Sequence, residues 1–191
     1  MLTQLRYPNL YTGPLVRLAA LDSERDAAAL ARWSGDTEYR RWLDSDAVRG
    51  ETAAEVKAAM DKGAERPNDF PFGIHVAADD TFIGGVRLWI RDWSNAEAFV
   101  GIGIGDRAYW SKGYGSAAMQ LALRFAFHEL NLERVSLEAN AENARAIRAY
   151  EKCGFVHEGT QREWEGRDGR RWDLINMGIL RADWERAHAQ P

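Results

Sequence analysis

The spacing of apolar positions changes period several times along the chain, and each change marks an element. Leu15 to Leu21 reads as a short strand, after which Asp22 or Ser23 can cap a helix with Ala27, Leu30, Ala31 and Trp33 on its apolar side. A second helical stretch covers Thr37 to Leu43. Thr52 and Glu55 have the Thr-x-x-Glu spacing of a capping box, opening a helix that fades at Gly63 before the turn residues Arg66-Pro67-Asn68-Asp69. Phe70 to Ala77, Phe82 to Ile90 and Ala98 to Asp106 are then rich in aromatic and β-branched residues and read as a strand meander. Ser111 to Leu130 is the longest helical candidate, apolar on two adjoining sides, which places it between other elements. Arg134 to Asn140 alternates as a half-buried strand, and Asn143 to Lys152 returns to helical spacing with Gly154 as a left-handed cap. Two last strands, Phe155 to Trp164 and Arg171 to Leu180, join across Gly166-Arg167-Asp168-Gly169. The pattern predicts a mixed β-sheet with helices on its faces, an α/β (α+β) architecture. No repeat or linker interrupts it, so residues 1–191 read as a single domain.

Composition narrows the function. With 46% hydrophobic residues and eight Trp, the chain carries enough apolar surface to offset the entropy of folding, which excludes disorder for most of its length. A net charge of −4 argues against a nucleic-acid partner. No run approaches a membrane span, and Met1 to Gly13 lacks a signal-peptide core, so a cytoplasmic protein without a membrane partner is expected. Cys153 is the sole cysteine, which excludes an intrachain disulfide and a multi-thiolate metal site. His75, His128, His157 and His188 show no ligand spacing, and no metal is expected.

Two segments carry chemistry. Trp110-Ser111-Lys112-Gly113-Tyr114-Gly115-Ser116 leads into the long helix, where glycines allow close backbone approach and the first helical N–H groups are unpaired donors, an arrangement suited to a diphosphate. It is also consistent with a bland glycine-rich helix start. A P-loop is excluded because Gly-Lys-Ser/Thr is absent. Gly103-x-Gly105-x-x-Ala108 and Gly113-x-Gly115-x-x-Ala118 fit a dinucleotide pattern by letter only, since the first lies inside a strand and the second is too far from one. The second segment, Glu138 to Asn143 followed by Tyr150, sits at a strand exit and helix start, where side chains converge on a crevice. Asn143 is equally an N-cap there, and Tyr150 equally a packing residue.

The run Asn140-Ala-Glu-Asn-Ala-Arg-Ala-Ile-Arg-Ala-Tyr-Glu-Lys-Cys-Gly-Phe155, preceded by Tyr-Trp-Ser-Lys-Gly-Tyr-Gly-Ser-Ala, resembles the two motifs of the GNAT N-acetyltransferase superfamily, in its ribosomal-protein and polyamine (RimJ/RimL-like) branch. Ser111 stands where that branch has Gly, and Trp110 where the wider superfamily often has Gln or Arg. The resemblance implies a sheet splayed between two parallel strands, Ala98 to Asp106 and Arg134 to Asn140, with acetyl-CoA as cosubstrate. It places the diphosphate on Lys112, Gly113, Tyr114, Gly115 and Ser116, and the thioester near Ile102 and Ile104. Tyr150 protonates the departing thiolate, a transfer that looks nearly level for a phenol of ordinary pKa, ~10. Asn143 orders the pantetheine arm, and Glu138 is the candidate base for the attacking amine. Arg145, Arg148 and Lys152 share one helix side, where the resemblance would bring a CoA 3′-phosphate close, and otherwise read as a solvated basic face. The acceptor, a small amine or a protein N-terminus, is expected between the first two helices and the last hairpin, near Trp33, Glu38, Trp42 and Trp164. The resemblance also implies a homodimer. The rival reading from another class is a non-catalytic acyl-CoA-binding or sensor domain.

Overall fold

The computed structural model describes residues 9–189, so most of the segment read above for a signal peptide lies outside them. In chain order the elements are β1 (Val16–Ala20), α1 (Ser23–Ser34), α2 (Thr37–Leu43), α3 (Ala53–Ala64), β2 (Asp69–Val76), β3 (Phe82–Asp92) and β4 (Glu97–Ile104). A 3₁₀ turn (Arg107–Tyr109), α4 (Tyr114–His128), β5 (Arg134–Asn140), α5 (Ala144–Lys152), β6 (Val156–Arg167), β7 (Arg170–Leu180) and α6 (Arg181–Ala187) follow. One seven-stranded sheet runs β1-β2-β3-β4-β5-β7-β6, antiparallel except for the β4–β5 pair. This is the mixed sheet with flanking helices that the hydrophobic pattern predicts.

The caps follow the sequence chemistry. Asp22 rather than Ser23 caps α1, its carboxylate accepting from the N–H groups of Glu24 (2.9 Å) and Arg25 (3.1 Å). The Thr52–Glu55 capping box forms in both directions. α4 begins at Tyr114 instead of Ser111, because Ser111 (φ 59°) and Gly113 (φ 89°) sit in the left-handed region. The hairpin turn is Asp168-Gly169, both with positive φ, so β6 and β7 run closer to each other than the predicted bounds. α6 was not foreseen. It is seven residues long and opens without a side-chain cap, yet it buries Trp184 against Phe127 and His128 of α4.

β4 shows how the two faces of the sheet are used. Ala98 and Val100 are buried in the core that α4 fills with Ala118, Met119, Ala122 and Leu123. The alternate positions Gly101, Gly103 and Gly105 leave the other face bare, and α1 and α2 press onto it. A Cβ at Gly103 would lie 2.6 Å from the Tyr39 hydroxyl, and one at Gly105 would overlap the Trp33 ring. Among the described residues no helix is long and apolar enough to cross a membrane.

Candidate active site

β4 and β5 pair only over Glu97–Phe99 and Arg134–Ser136, and beyond that they part. The Gly105 N–H donates to Ile83 O (2.9 Å), which assigns the odd positions of β4 to β3. By the alternation of an extended chain, Ile102 and Ile104 turn their N–H and C=O groups toward the gap. The Ile104 carbonyl there accepts the Trp110 indole N–H at 2.6 Å, leaving the amides as open donors. Parting strands thus create a notch lined by backbone polar groups, and a cavity of about 290 Å³ opens from it between α2, α4 and α5.

The start of α4 forms one wall. Gly113 is its N-cap and offers no side-chain cap, and the first intrahelical bond runs from Ala117 N–H to Gly113 O (2.9 Å). The N–H groups of Tyr114, Gly115 and Ser116 therefore have no helical acceptor and sit at the positive end of the helix dipole. Gly113, Gly115 and Ser116 line the cavity, as do Ile102 and Ile104. The side chains of Lys112 and Tyr114 do not: Lys112 is exposed, and the Tyr114 ring packs edge-on against Tyr109 at 5.1 Å.

α5 forms the opposite wall. Asn143 is buried and lines the cavity, its Oδ1 accepting the Ala146 N–H (3.1 Å) as the N-cap. The N-cap reading of Asn143 therefore holds, and its place in the lining leaves it at the cavity wall. Tyr150 lines it two turns further on, its ring set edge-on to Phe155 at 6.1 Å. Burial pushes its phenol up to about 12, so it stays protonated at any working pH. Cys153 is buried, its thiol bonded to Ser116 O (3.6 Å) and pushed up to about 11 by burial, which leaves it without thiolate character.

Arg145, Arg148 and Lys152 all border the cavity, and Arg148 and Lys152 are exposed, so the basic side of α5 is solvated and faces the cavity rim. The Arg145 guanidinium lies 3.8 Å from the centre of the Trp110 ring, a cation–π contact that sets one corner of the cavity. Arg107 stands 5.2 Å from the same ring and bonds Asp36 (2.5 Å) and Glu38 (2.6 Å). That pairing holds the Asp36 carboxyl at about 2.

A second cavity of about 300 Å³ lies between α2 and the β6–β7 hairpin, with Glu38, Trp42, Asn140 and Trp172 among its walls. Trp42 borders both cavities. Two predicted acceptor residues are corrected here. Trp33 is 5% exposed, wedged under Gly105 and packed on Phe82 at 5.2 Å, and borders neither cavity. Trp164 is 54% exposed on a shifted-register stretch of the edge strand β6 and also borders neither. Trp172, which the sequence reading did not single out, borders the second cavity instead; its only signal was an aromatic at the start of the last strand. Glu138 is exposed on β5 opposite Asn176, on the strand face it shares with Ser136 and Asn140, and outside the lining of both cavities. Glu97 is engaged by Ser136 (2.9 Å) at the far, paired end of β4. Among the described residues no group of His, Cys, Asp or Glu is placed to hold a metal ion.

Comparison with known proteins agrees with this geometry. Residues 16–156 match the sequence model of the Acetyltransferase (GNAT) domain. An uncharacterized N-acetyltransferase, p20 of Bacillus licheniformis, is 31% identical over 177 residues, 92% of this chain and 97% of that protein. Spermidine N(1)-acetyltransferase of Vibrio cholerae is 37% identical over 73 residues, 38% of this chain and 42% of that protein. A crystal structure of spermidine N-acetyltransferase from Vibrio cholerae in complex with CoA and spermine superposes with a TM-score of 0.81 at 25% identity, covering 90% of this chain and 99% of that one. A notch between parting parallel strands, an open helix start and near-full-length kinship lead to one assignment: the chain belongs to the GNAT acetyltransferase family and is an acetyl-CoA-dependent acyltransferase.

Proposed function

We propose that the protein transfers the acetyl group of acetyl-CoA directly to a primary amine. The observation that carries this reading is that one cavity holds the open amides of α4, the amides of Ile102 and Ile104, and the Tyr150 phenol. The diphosphate rests on the N–H groups of Tyr114, Gly115 and Ser116, with Arg148 and Lys152 neutralising its charge from α5. The pantetheine arm follows the notch past Asn143 Nδ2, and the thioester carbonyl accepts from a β4 amide, which stabilises the oxyanion as it forms.

The raised pKa of Tyr150 changes its expected part. Full proton transfer from a phenol at about 12 to a free thiolate of ordinary thiol pKa, ~8.5, runs uphill by roughly 3 to 4 units, about 5 kcal/mol. The level transfer expected from the sequence is therefore replaced by a hydrogen bond to the sulfur as the C–S bond breaks. The proton lost by the attacking nitrogen completes the thiol. Trp42 borders both cavities, which supports approach of the amine from the second one. Glu138 lies outside both linings, so we assign it a base role only through water. The names of the Vibrio cholerae relatives support an amine acceptor.

Thiol release from acetyl-CoA with a panel of amines tests the reading. Tyr150→Phe is expected to lower kcat by roughly 10- to 100-fold with the KM for acetyl-CoA unchanged, because the lost hydrogen bond forms in the transition state. An unaltered kcat removes Tyr150 from the mechanism, and failure of the wild type to bind acetyl-CoA overturns the whole reading.

A further inference from the structure

The second cavity carries information about the acceptor that the first does not. Its walls include two indoles, Trp42 and Trp172, and the Asn140 amide. Its charged groups all have partners. Glu38 accepts from Arg107 (2.6 Å), and Asp168 accepts from Arg41 (2.6 Å). Arg167 is paired with Glu165, itself 7% exposed, and donates to the carbonyls of Asp44 (2.7 Å) and Asp46 (3.2 Å). Asn140 donates to the other oxygen of Glu165 (2.7 Å), which completes that carboxylate's bonding.

A polyamine carries two or more ammonium groups into its site, and each needs a carboxylate whose charge is not already spent. Here each lining carboxylate already sits in an ion pair, Glu38 with Arg107 and Asp168 with Arg41, and a second ammonium would meet Arg41 or Arg167. A single amine is served differently. The indoles bind its body by area and its charge by the ring faces, and no ion pair has to open. We infer that the acceptor is a primary monoamine borne on an uncharged apolar or aromatic body, and that polyamines are poor acceptors for this enzyme. The inference rests on the acetyl-transfer reading above. A free arylalkylamine and a peptide with an apolar first residue share this chemistry.

The test compares kcat/KM for phenethylamine, a Phe-led tripeptide amide, putrescine and spermidine by thiol release at saturating acetyl-CoA. One of the first two is expected to exceed spermidine by at least tenfold, and which of them leads tells the small amine from the peptide. Equal or better turnover of spermidine or putrescine overturns the inference and leaves acetyl transfer standing. No release with any of the four overturns both. Arg41→Glu supplies an independent arm: it adds a carboxylate and frees Asp168, so it should raise kcat/KM for spermidine at least fivefold. An unchanged spermidine value in a variant that still turns over phenethylamine overturns the charge-balance argument.

Discussion

Gly113→Val isolates the anion seat at the start of α4. Gly113 has φ 89° and ψ −8°, a region that β-branched residues essentially never occupy. Space is not the obstacle, since a Cβ there meets nothing nearer than Leu15 Cδ1 at 3.8 Å. The whole effect is thus backbone strain, about 2 kcal/mol, or relief of it by turning the loop. For a chain of this length that lowers Tm by about 4–8 °C. Relief rotates the amides of Tyr114 and Gly115, and loss of one charge-assisted bond, about 1.5–3 kcal/mol, weakens CoA binding by roughly 10- to 100-fold. Gly115→Ala is the control: its Cβ meets Ile104 Cγ1 at an ordinary 3.8 Å, and Ala favours helix over Gly by up to ~1 kcal/mol. That variant should hold or raise Tm and keep its affinity. Scanning fluorimetry reads stability, and calorimetric titration with CoA reads affinity. A Gly113→Val protein with lowered Tm and wild-type CoA affinity refutes the amide seat; one with unaltered Tm refutes the strain.

Three further outcomes are expected. Gly105→Ala drives a methyl into the buried Trp33 ring and should destabilise the fold by about 1–3 kcal/mol, read as the midpoint of urea unfolding; a wild-type midpoint contradicts the packing of α1 on β4. Cys153→Ala should keep kcat within twofold, because a buried thiol at about 11 is no nucleophile; a tenfold loss points to a covalent intermediate. Asp36 is held at about 2 by Arg107, below its unfolded value, so its ion pair contributes above ~4 and the contribution is lost as pH falls toward 2. Arg107 is half exposed and the pair is screened by solvent, so the Tm gap between wild type and Asp36→Asn should be small at pH 7 and close by pH 2.

What could be read in advance followed from local chemistry. The capping box at Thr52, the left-handed cap at Gly154 and the alternation of Arg134 to Asn140 each depend on residues near one another in the chain, and the structure has all three. The open amides of α4 were legible for the same reason. Tryptophan placement was not: Trp33 and Trp42 lie nine positions apart on successive helices, and only the bare glycine face of β4 decides which is buried. That Trp172 and not Trp164 borders the second cavity was not legible either, because the register of β6 on β7 shifts between Gln161 and Glu165, a feature set by pairing across strands. The short α6 lacked a cap and derives its stability from burying Trp184.

The row of alternate glycines on β4 divides labour within one strand. Its even positions carry the hydrocarbon that anchors α4, and from Gly101 onward its odd positions carry no side chain, so α2 rides on bare main chain there. Redesign of acceptor preference must accordingly leave this strand alone and rewrite its lodgers. Grafting α2 and the β6–β7 hairpin together, as one cassette, should re-target the enzyme, provided that Tyr39, Trp42 and Leu43, the α2 residues that wall the first cavity, are kept.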